Sequence, residues 1–314
     1  MLSRRKLLLA LVDVCGGSIS VSDCQALLAQ FCARGNTTYY DFFLSPYGYY
    51  SLVLAYDKHQ LTKQGFLTHE EAFHLQRSDS YLEQLLGEDQ RLLQAIVSES
   101  TVKQVPGLFS NYLFTEEEMR GGPILDGSVS SLAQERAGAK PCLFTLGYEG
   151  LSIDAYLNLL LMQRIAFLVD VRKNPWSRKY GFSKKQLLRF TSFVGIEYRH
   201  LPALGISSSL RHHLDTERAY QELFEHYTEH ILPAQQDAIE QLKHFLLEAR
   251  HVALTCFEAN PQFCHRHRIT EYLLQTDSTF HTPIIHLRSG KAFSLNRPNH
   301  VEEQTFLDSP AKIV

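Results

Sequence analysis

The chain has 314 residues, of which 44% are hydrophobic and 21% charged, and a net charge of −3. This is the balance of an ordinary globular protein with room for two domains, and it excludes a surface that coats nucleic acid along its whole extent. No apolar run approaches the roughly 20 residues needed to span a bilayer, so no membrane is expected as a partner.

The start, Met1 to Lys6 followed by apolar Leu7 to Val12, faintly resembles a signal peptide. Asp13 interrupts the apolar run, and Cys15-Gly16-Gly17 is a poor cleavage site. Cysteines at 15, 24, 32, 142, 256 and 264 show no disulfide-framework spacing. A reducing, cytoplasmic setting is the expectation.

Leu2 to Val14 reads as a first helix, with apolar residues at 7, 8, 11, 12 and 14. Ser20 to Asp23 offers caps for a second, from about 22 to 33. The aromatic stretch Tyr39 to Tyr50 reads as a strand or turn and a Pro/Gly-punctuated loop. A helix from about Ser51 to Gln64 follows, closed by Gly65 to Thr68. Helix, helix, strand, helix and wing is the order of a winged-helix-like α+β domain, expected over residues 1–70. Residues 71–141 are expected to be a helical connection, with Ser80 to Leu86 and Asp89 to Val97 periodic. Gly121-Gly122-Pro123 and Gly127 break that pattern, and Gln134 to Pro141 reads as a linker.

Residues 142–314 alternate strands with helices. Strands are expected at 142–146, 165–169, from 196, 252–255 and 283–287. Helices are expected at 152–163, 183–193, 216–249 with a break near Pro233, and 264–275. This implies an α/β, Rossmann-like, mostly parallel sheet with helices on both faces. Ligands of such sheets bind outside the carboxyl ends of the strands. Each conspicuous polar cluster falls at one of those ends. Tyr148 and Glu149 follow the first strand, and Asp170, Arg172, Ser177 and Arg178 the second. His200 to Gly205 follows the third, and Cys256, Glu258, Cys264, His265 and Arg266 the fourth. A shared pocket at one edge is the expectation.

Within that pocket Cys264, at a helix start beside His265 and Arg266, has the setting of a thiol with a lowered pKa; a small buried plug is the competing reading. Glu258, Asp170 and His265 complete the catalytic candidates as acid–base groups. Arg172, Arg178 and Arg266 can form a fork for phosphate or carboxylate. Lys184, Ser177, Tyr148, Gly205 and Cys256 are the further substrate-binding candidates. The basic run over residues 164–189, with Asp170 its one acid, is either a solvated face or an anion-binding surface. Trp176 and Tyr180 offer rings for base stacking or for packing.

No metal is expected, because the thiols lack the usual C-x₂₋₄-C spacing and Arg266 repels a cation. No cofactor is expected either. Gly147-Tyr148-Glu149-Gly150 is not a dinucleotide fingerprint, and neither a Walker A sequence nor a G-x-S-x-G elbow occurs.

Two resemblances complete the reading. YDFFLSPYGYYSLVLAYDKHQLTKQGFLT resembles the Panacea-type winged module of antitoxins and phage-related proteins. FTLGYEG, LVDVRKNPWSRKYGFSKKQL, IEYRHLPALG, ALTCFEANPQFCHRHRI and IIHL resemble the family of domains of unknown function numbered 488, from about 142 to 288. That second resemblance implies a Rossmann-like domain with its Asp and Arg at Asp170 and Arg172, its Ser-Arg at Ser177 and Arg178, and its Cys-His-Arg at Cys264, His265 and Arg266.

The function these observations favour is an enzyme acting on a nucleotide or nucleic-acid-linked anionic substrate. A non-enzymatic DNA-binding regulator whose α/β domain senses a small ligand is the alternative, as is an interaction module in phage or stress defence. The partners expected are nucleic acid or nucleotide, with a homodimer as a further candidate.

Overall fold

The computed structural model describes residues 1–45, 48–77, 79–100, 140–210, 216–287 and 304–305. Contacts sort these into two units. The first holds the described residues up to 100 together with Ser152–Asn158, and the second holds the rest.

The first unit is built from α1 (Ser3–Val14), α2 (Val21–Arg34), α3 (Leu52–Lys63) and α4 (Gly87–Ser100). Ser20 caps α2 by accepting from the Asp23 amide, and Ser51 caps α3 by accepting from the Leu54 amide. Short antiparallel pairs join β1 (Ser18–Ile19) to β4 (Phe73–His74) and β2 (Phe43–Ser45) to β3 (Gly48–Tyr50). Leu67 bridges Leu75 beyond the β1–β4 pair. The core draws Leu7, Leu8 and Leu11 from α1, Leu28 and Phe31 from α2, and Leu54 and Leu61 from α3.

Charges are buried in this unit as well. Asp57 is fully enclosed and accepts from Arg4 Nε at 2.5 Å and Arg5 Nε at 2.7 Å. Asp154, in the first turn of α5 (Ile153–Met162), caps α3. Its carboxylate accepts from Ser51 Oγ at 2.8 Å and from the Leu52 and Val53 amides at 2.7 and 3.1 Å. Burial outweighs those three donors and pushes its pKa up to about 7.

The second unit is a sheet in the order β10-β9-β5-β8-β6-β7. Its strands are β5 (Cys142–Gly147), β6 (Phe167–Asp170), β7 (Glu197–His200), β8 (His251–Cys256), β9 (Ile284–Leu287) and β10 (Gln304–Thr305), with α6 (Lys184–Phe193) between β6 and β7 in the chain. The first five are mutually parallel, and β10 is antiparallel to β9. β5 and β6 are buried along their whole length, the signature of strands covered on both faces. On one face Leu143, Val169, Val252 and Leu254 pack with Leu242 and Phe245 of α8 (Gln236–Ala249) and with Ile269 and Leu273 of α9 (His265–Thr276). The alternate residues Phe144, Leu146, Leu168 and Ala253 are buried on the other face.

The expected α/β unit is therefore present, and its helical breaks have local causes. The expected break near Pro233 is a π turn (Tyr227–Ile231) and a 3₁₀ turn (Leu232–Gln235) between α7 (Glu217–His226) and α8. Ser80 to Leu86, expected to be helical, gives a single 3₁₀ turn (Leu82–Gln84). The glycine breaks at 121–129 and most of the linker at 134–141 lie outside the described residues. Among the described residues no helix is long and apolar enough to cross a membrane.

Candidate functional site

Because β5, β8 and β6 are adjacent and parallel, the loops leaving their carboxyl ends converge on one edge. Gly147 ends β5 where a Cβ would fall inside the Glu258 carbonyl, so a side chain there would drive the loop after β8 away. Backbone bonds knit the two loops together. The Tyr148 amide donates to the Cys256 carbonyl at 3.2 Å and the Glu149 amide to Phe257 at 2.8 Å. The Ala259 amide donates back to Glu149 Oε2 at 2.9 Å.

Beside this junction Asp170 and Arg172 form a closed network. Arg172 donates from Nε to Asp170 Oδ1 at 2.8 Å and from Nη2 to Oδ2 at 2.5 Å. Its Nη1 serves the Tyr148 hydroxyl and the Phe182 carbonyl, both at 2.9 Å. Tyr198 donates to Asp170 Oδ2 at 2.7 Å. Burial works against the Arg172 guanidinium, but its bonds to Asp170 outweigh it and raise its pKa. Burial and the Asp170 charge likewise raise the Tyr198 phenol. Tyr148 stacks on Phe182 at 4.3 Å, which walls the pair in. Arg172, expected to hold a substrate anion, is thus engaged by an internal carboxylate.

The loop after β8 gathers the chemical groups. Asn260 caps the 3₁₀ turn Pro261–Phe263, which carries the chain back so that Cys264 becomes the N-cap of α9. Cys256, Cys264 and His265 are each about 1% exposed. His265 Nε2 lies 3.0 Å from the Val171 carbonyl. A carbonyl only accepts, so Nε2 carries the proton and Nδ1 is left as an acceptor. That Nδ1 lies 3.6 Å from Cys256 Sγ and 4.0 Å from Cys264 Sγ. Cys256 Sγ is in turn 3.2 Å from Glu258 Oε2.

The electrostatics of this cluster correct one expectation. Cys264 does sit at a helix N-terminus, but burial first, then Cys256 and Glu258, push its thiol well up, and the lowering by Arg266 does not offset them. Burial and Cys256 also raise Glu258. The Cys264 thiol is therefore held protonated. No disulfide joins any of the six cysteines.

Arg266 is fully buried and donates to the carbonyls of Glu258 at 2.5 Å and Ala259 at 3.1 Å. Its Nε has no hydrogen-bond partner, and among the described residues it makes no ion pair. The expected three-arginine fork is not assembled. Arg172 and Arg266 are buried on protein acceptors, whereas Arg178 is exposed over the ring of Trp176, itself 66% exposed. Ser177 accepts from the Lys179 amide at 3.2 Å and so shapes its own loop.

The remaining candidates have structural tasks. Exposed Lys184 donates to His200 Nδ1 at 3.2 Å, while His200 Nε2 serves the Arg172 carbonyl at 3.0 Å. Gly205 lets its loop touch the backbone of Lys173, where a Cβ would overlap the amide. Tyr180 packs on Phe190. A cleft of 420 Å³ opens past the end of β7, between Pro202 and the start of α8 at Gln236 and Asp237. None of the four cluster residues lines it.

Sequence reasoning missed Tyr198, Phe182 and the Val171 carbonyl. Tyr198 was identifiable in principle as a polar ring two residues before the end of β7. The carbonyls carry no sequence signal.

Residues 152–273 match the family described as Domain of unknown function DUF488. The matched stretch carries Asp170, Arg172 and the whole Cys256–Arg266 loop, and it does not reach residues 1–70 or β5. No curated protein and no solved structure matches the chain.

Proposed function

We propose that this protein is an enzyme acting on a nucleotide or nucleic-acid-linked anionic substrate, with Cys256, Glu258, Cys264 and His265 as its working centre. The observation that carries this reading is the imidazole. Val171 fixes its tautomer, and its basic nitrogen faces two thiols that stand beside a carboxyl group. A nucleophile or ligand, a base and an orienting group in that order is the arrangement of covalent and acid–base catalysts. Glu258, the half-buried member, is where substrate meets the cluster. Recognition of the anion passes from Arg172 to the exposed Lys173, Arg178 and Lys184, with Trp176 available for base stacking.

The substrate class is motivated by the first unit, whose α1–α3 and β1–β4 ribbon support a winged-helix-like, nucleic-acid-contacting role. Arg4 and Arg5 are engaged by Asp57, so phosphate contact there falls to Lys6 and Lys63. A homodimer would double that surface.

The test is turnover and binding by the full chain against nucleotides, single strands and duplexes. Turnover should be lost in Cys264→Ser and His265→Gln, and Arg178→Ala should raise KM with little change in kcat. Absence of turnover on every substrate in the panel would sink the reading.

A second reading has its own observation. The closed Asp170–Arg172 network leaves no cation for a ligand at that point, as suits a non-enzymatic regulator or interaction module. Salt-sensitive nucleic-acid binding without turnover would favour it.

A further inference from the structure

The sulfurs of Cys256 and Cys264 and Nδ1 of His265 all lie within 4.8 Å of one another. A tetrahedral zinc ion with bonds of about 2.3 Å to sulfur and about 2.0–2.1 Å to nitrogen sets its sulfur and nitrogen ligands about 3.6 Å apart. The observed separations from Nδ1 are 3.6 Å for Cys256 and 4.0 Å for Cys264. Glu258 Oε2 lies 3.2 Å from Cys256 Sγ but outside the group of atoms within 4.8 Å of one another, so a shift of its side chain would bring it to the open fourth corner. His265 already has the support a ligating imidazole uses, since its far nitrogen donates to the Val171 carbonyl and turns Nδ1 inward.

Charge supplies an independent argument. Arg266 is buried beside the cluster with only carbonyl acceptors. Two thiolates and one carboxylate carry three negative charges, which a divalent ion and this guanidinium cancel. A buried guanidinium met by carbonyls alone is an expensive arrangement, and an anionic metal cluster beside it would supply the missing counter-charge. The C-x₇-C spacing, unlike that of common zinc motifs, closes because the turn at Pro261–Phe263 returns Cys264 to the end of β8.

We propose that Cys256, Cys264 and His265, with Glu258 as the fourth and exchangeable ligand, bind one thiophilic divalent cation of the zinc class. Binding exchanges the two thiol protons for the ion, and those protons leave to solvent. The inference rests on the reading of this cluster as the working centre and adds the ion that would organise it. Glu258, half-buried, is the ligand that water or a substrate anion displaces.

The experiment uses the full chain, reduced and freed of metal by a chelator, titrated with Co²⁺ and then Zn²⁺. One Co²⁺ per chain should bind with a tetrahedral absorption spectrum and a thiolate charge-transfer band, and Zn²⁺ should bleach both. Zn²⁺ should also protect Cys256 and Cys264, but not Cys15, from alkylation. Cys264→Ser and His265→Gln should lose affinity beyond the roughly 10–100-fold caused by removing a ligand's hydrogen-bond support. Glu258→Gln should still bind Co²⁺ but with a shifted spectrum; an unshifted spectrum would remove Glu258 from the site. If the folded wild-type chain, checked by circular dichroism, binds neither ion stoichiometrically, or if zinc leaves both thiols equally reactive, the metal site is overturned. That test needs no turnover. Metal binding in a chain without activity keeps the ion and removes the enzyme, whereas turnover by a chain that binds no zinc does the reverse.

Discussion

Of the three fully buried aspartates among the described residues, Asp154 and Asp170, one in each unit, are stabilised in opposite ways. Asp170 is met by a cation, with Arg172 bonded to both of its oxygens and Tyr198 donating as well. Asp154 is met by dipoles alone, a hydroxyl and two amides at the start of α3, and among the described residues it makes no ion pair. Arg266 is the mirror case, a buried cation met by carbonyl dipoles. A charge neutralised by a partner is finished as a structural element. A charge held by dipoles alone keeps a residual tendency to gain a proton or to attract a counter-charge. On that ground the proposed working centre is set at Arg266 and its thiols rather than at Asp170 and Arg172.

The largest expected effect comes from breaking the finished pair. Arg172→Ala leaves the Asp170 carboxylate buried without its cation, and unfolding free energy should fall by about 3–5 kcal/mol. The double variant Asp170→Leu/Arg172→Met should recover most of that loss, because replacing both partners strands far less than replacing one. Denaturant midpoints of the three chains decide it. A double variant as unstable as the single one would mean that the pair does more than neutralise itself.

A smaller loss is expected at the dipole-held cation. Arg266→Met strands the carbonyls of Glu258 and Ala259, both in a loop within reach of solvent, at a cost of about 1–3 kcal/mol. The loop should loosen before the domain does. Hydrogen exchange should accelerate first at the Tyr148 and Glu149 amides, which bond to Cys256 and Phe257. Uniform acceleration across β5 and β8 would instead show that Arg266 holds the whole sheet.

These two arginines also mark how far the sequence could be read. The parallel sheet was legible because β5, β6 and β8 are short apolar runs ended by turn residues, and the placement of the polar groups at one edge followed from parallel direction alone. The roles of those groups were not. Arg172 looked like an anion ligand because its partners Tyr148, Phe182 and Tyr198 come from three other segments of the chain. For Cys264 the activated thiol and the buried plug both stood open, because its helix N-cap position was readable while its burial was not. The C-x₇-C spacing told against metal ligation, and the return turn at Pro261–Phe263, which brings both sulfurs near His265 Nδ1, is a tertiary fact with no spacing signal. Most helices of the first unit were readable from apolar spacing and, for α2, from the cap at Ser20. That Asp154, about a hundred residues away, would cap α3 had no local signal.

Asp154 gives the finest test of the comparison, through pH. Its pKa stands near 7 in the folded chain against an ordinary 3.8. Between those values the folded state holds a proton that the unfolded state has released. The contribution of Asp154 to unfolding free energy should therefore be highest below pH 4, decline as pH rises toward 7, and level off above it, with a slope of at most about 1.4 kcal/mol per pH unit. Asp154→Asn removes the ionisation while keeping one oxygen to accept from α3. The variant should be slightly less stable than the parent at pH 4, by about 1 kcal/mol for a weakened cap, and should cross it and become the more stable chain by pH 8. Thermal midpoints at those two pH values suffice. Parallel pH profiles for the parent and Asp154→Asn would mean that the three donors hold the carboxylate ionised throughout, so that dipoles alone neutralise a buried charge as completely as Arg172 does.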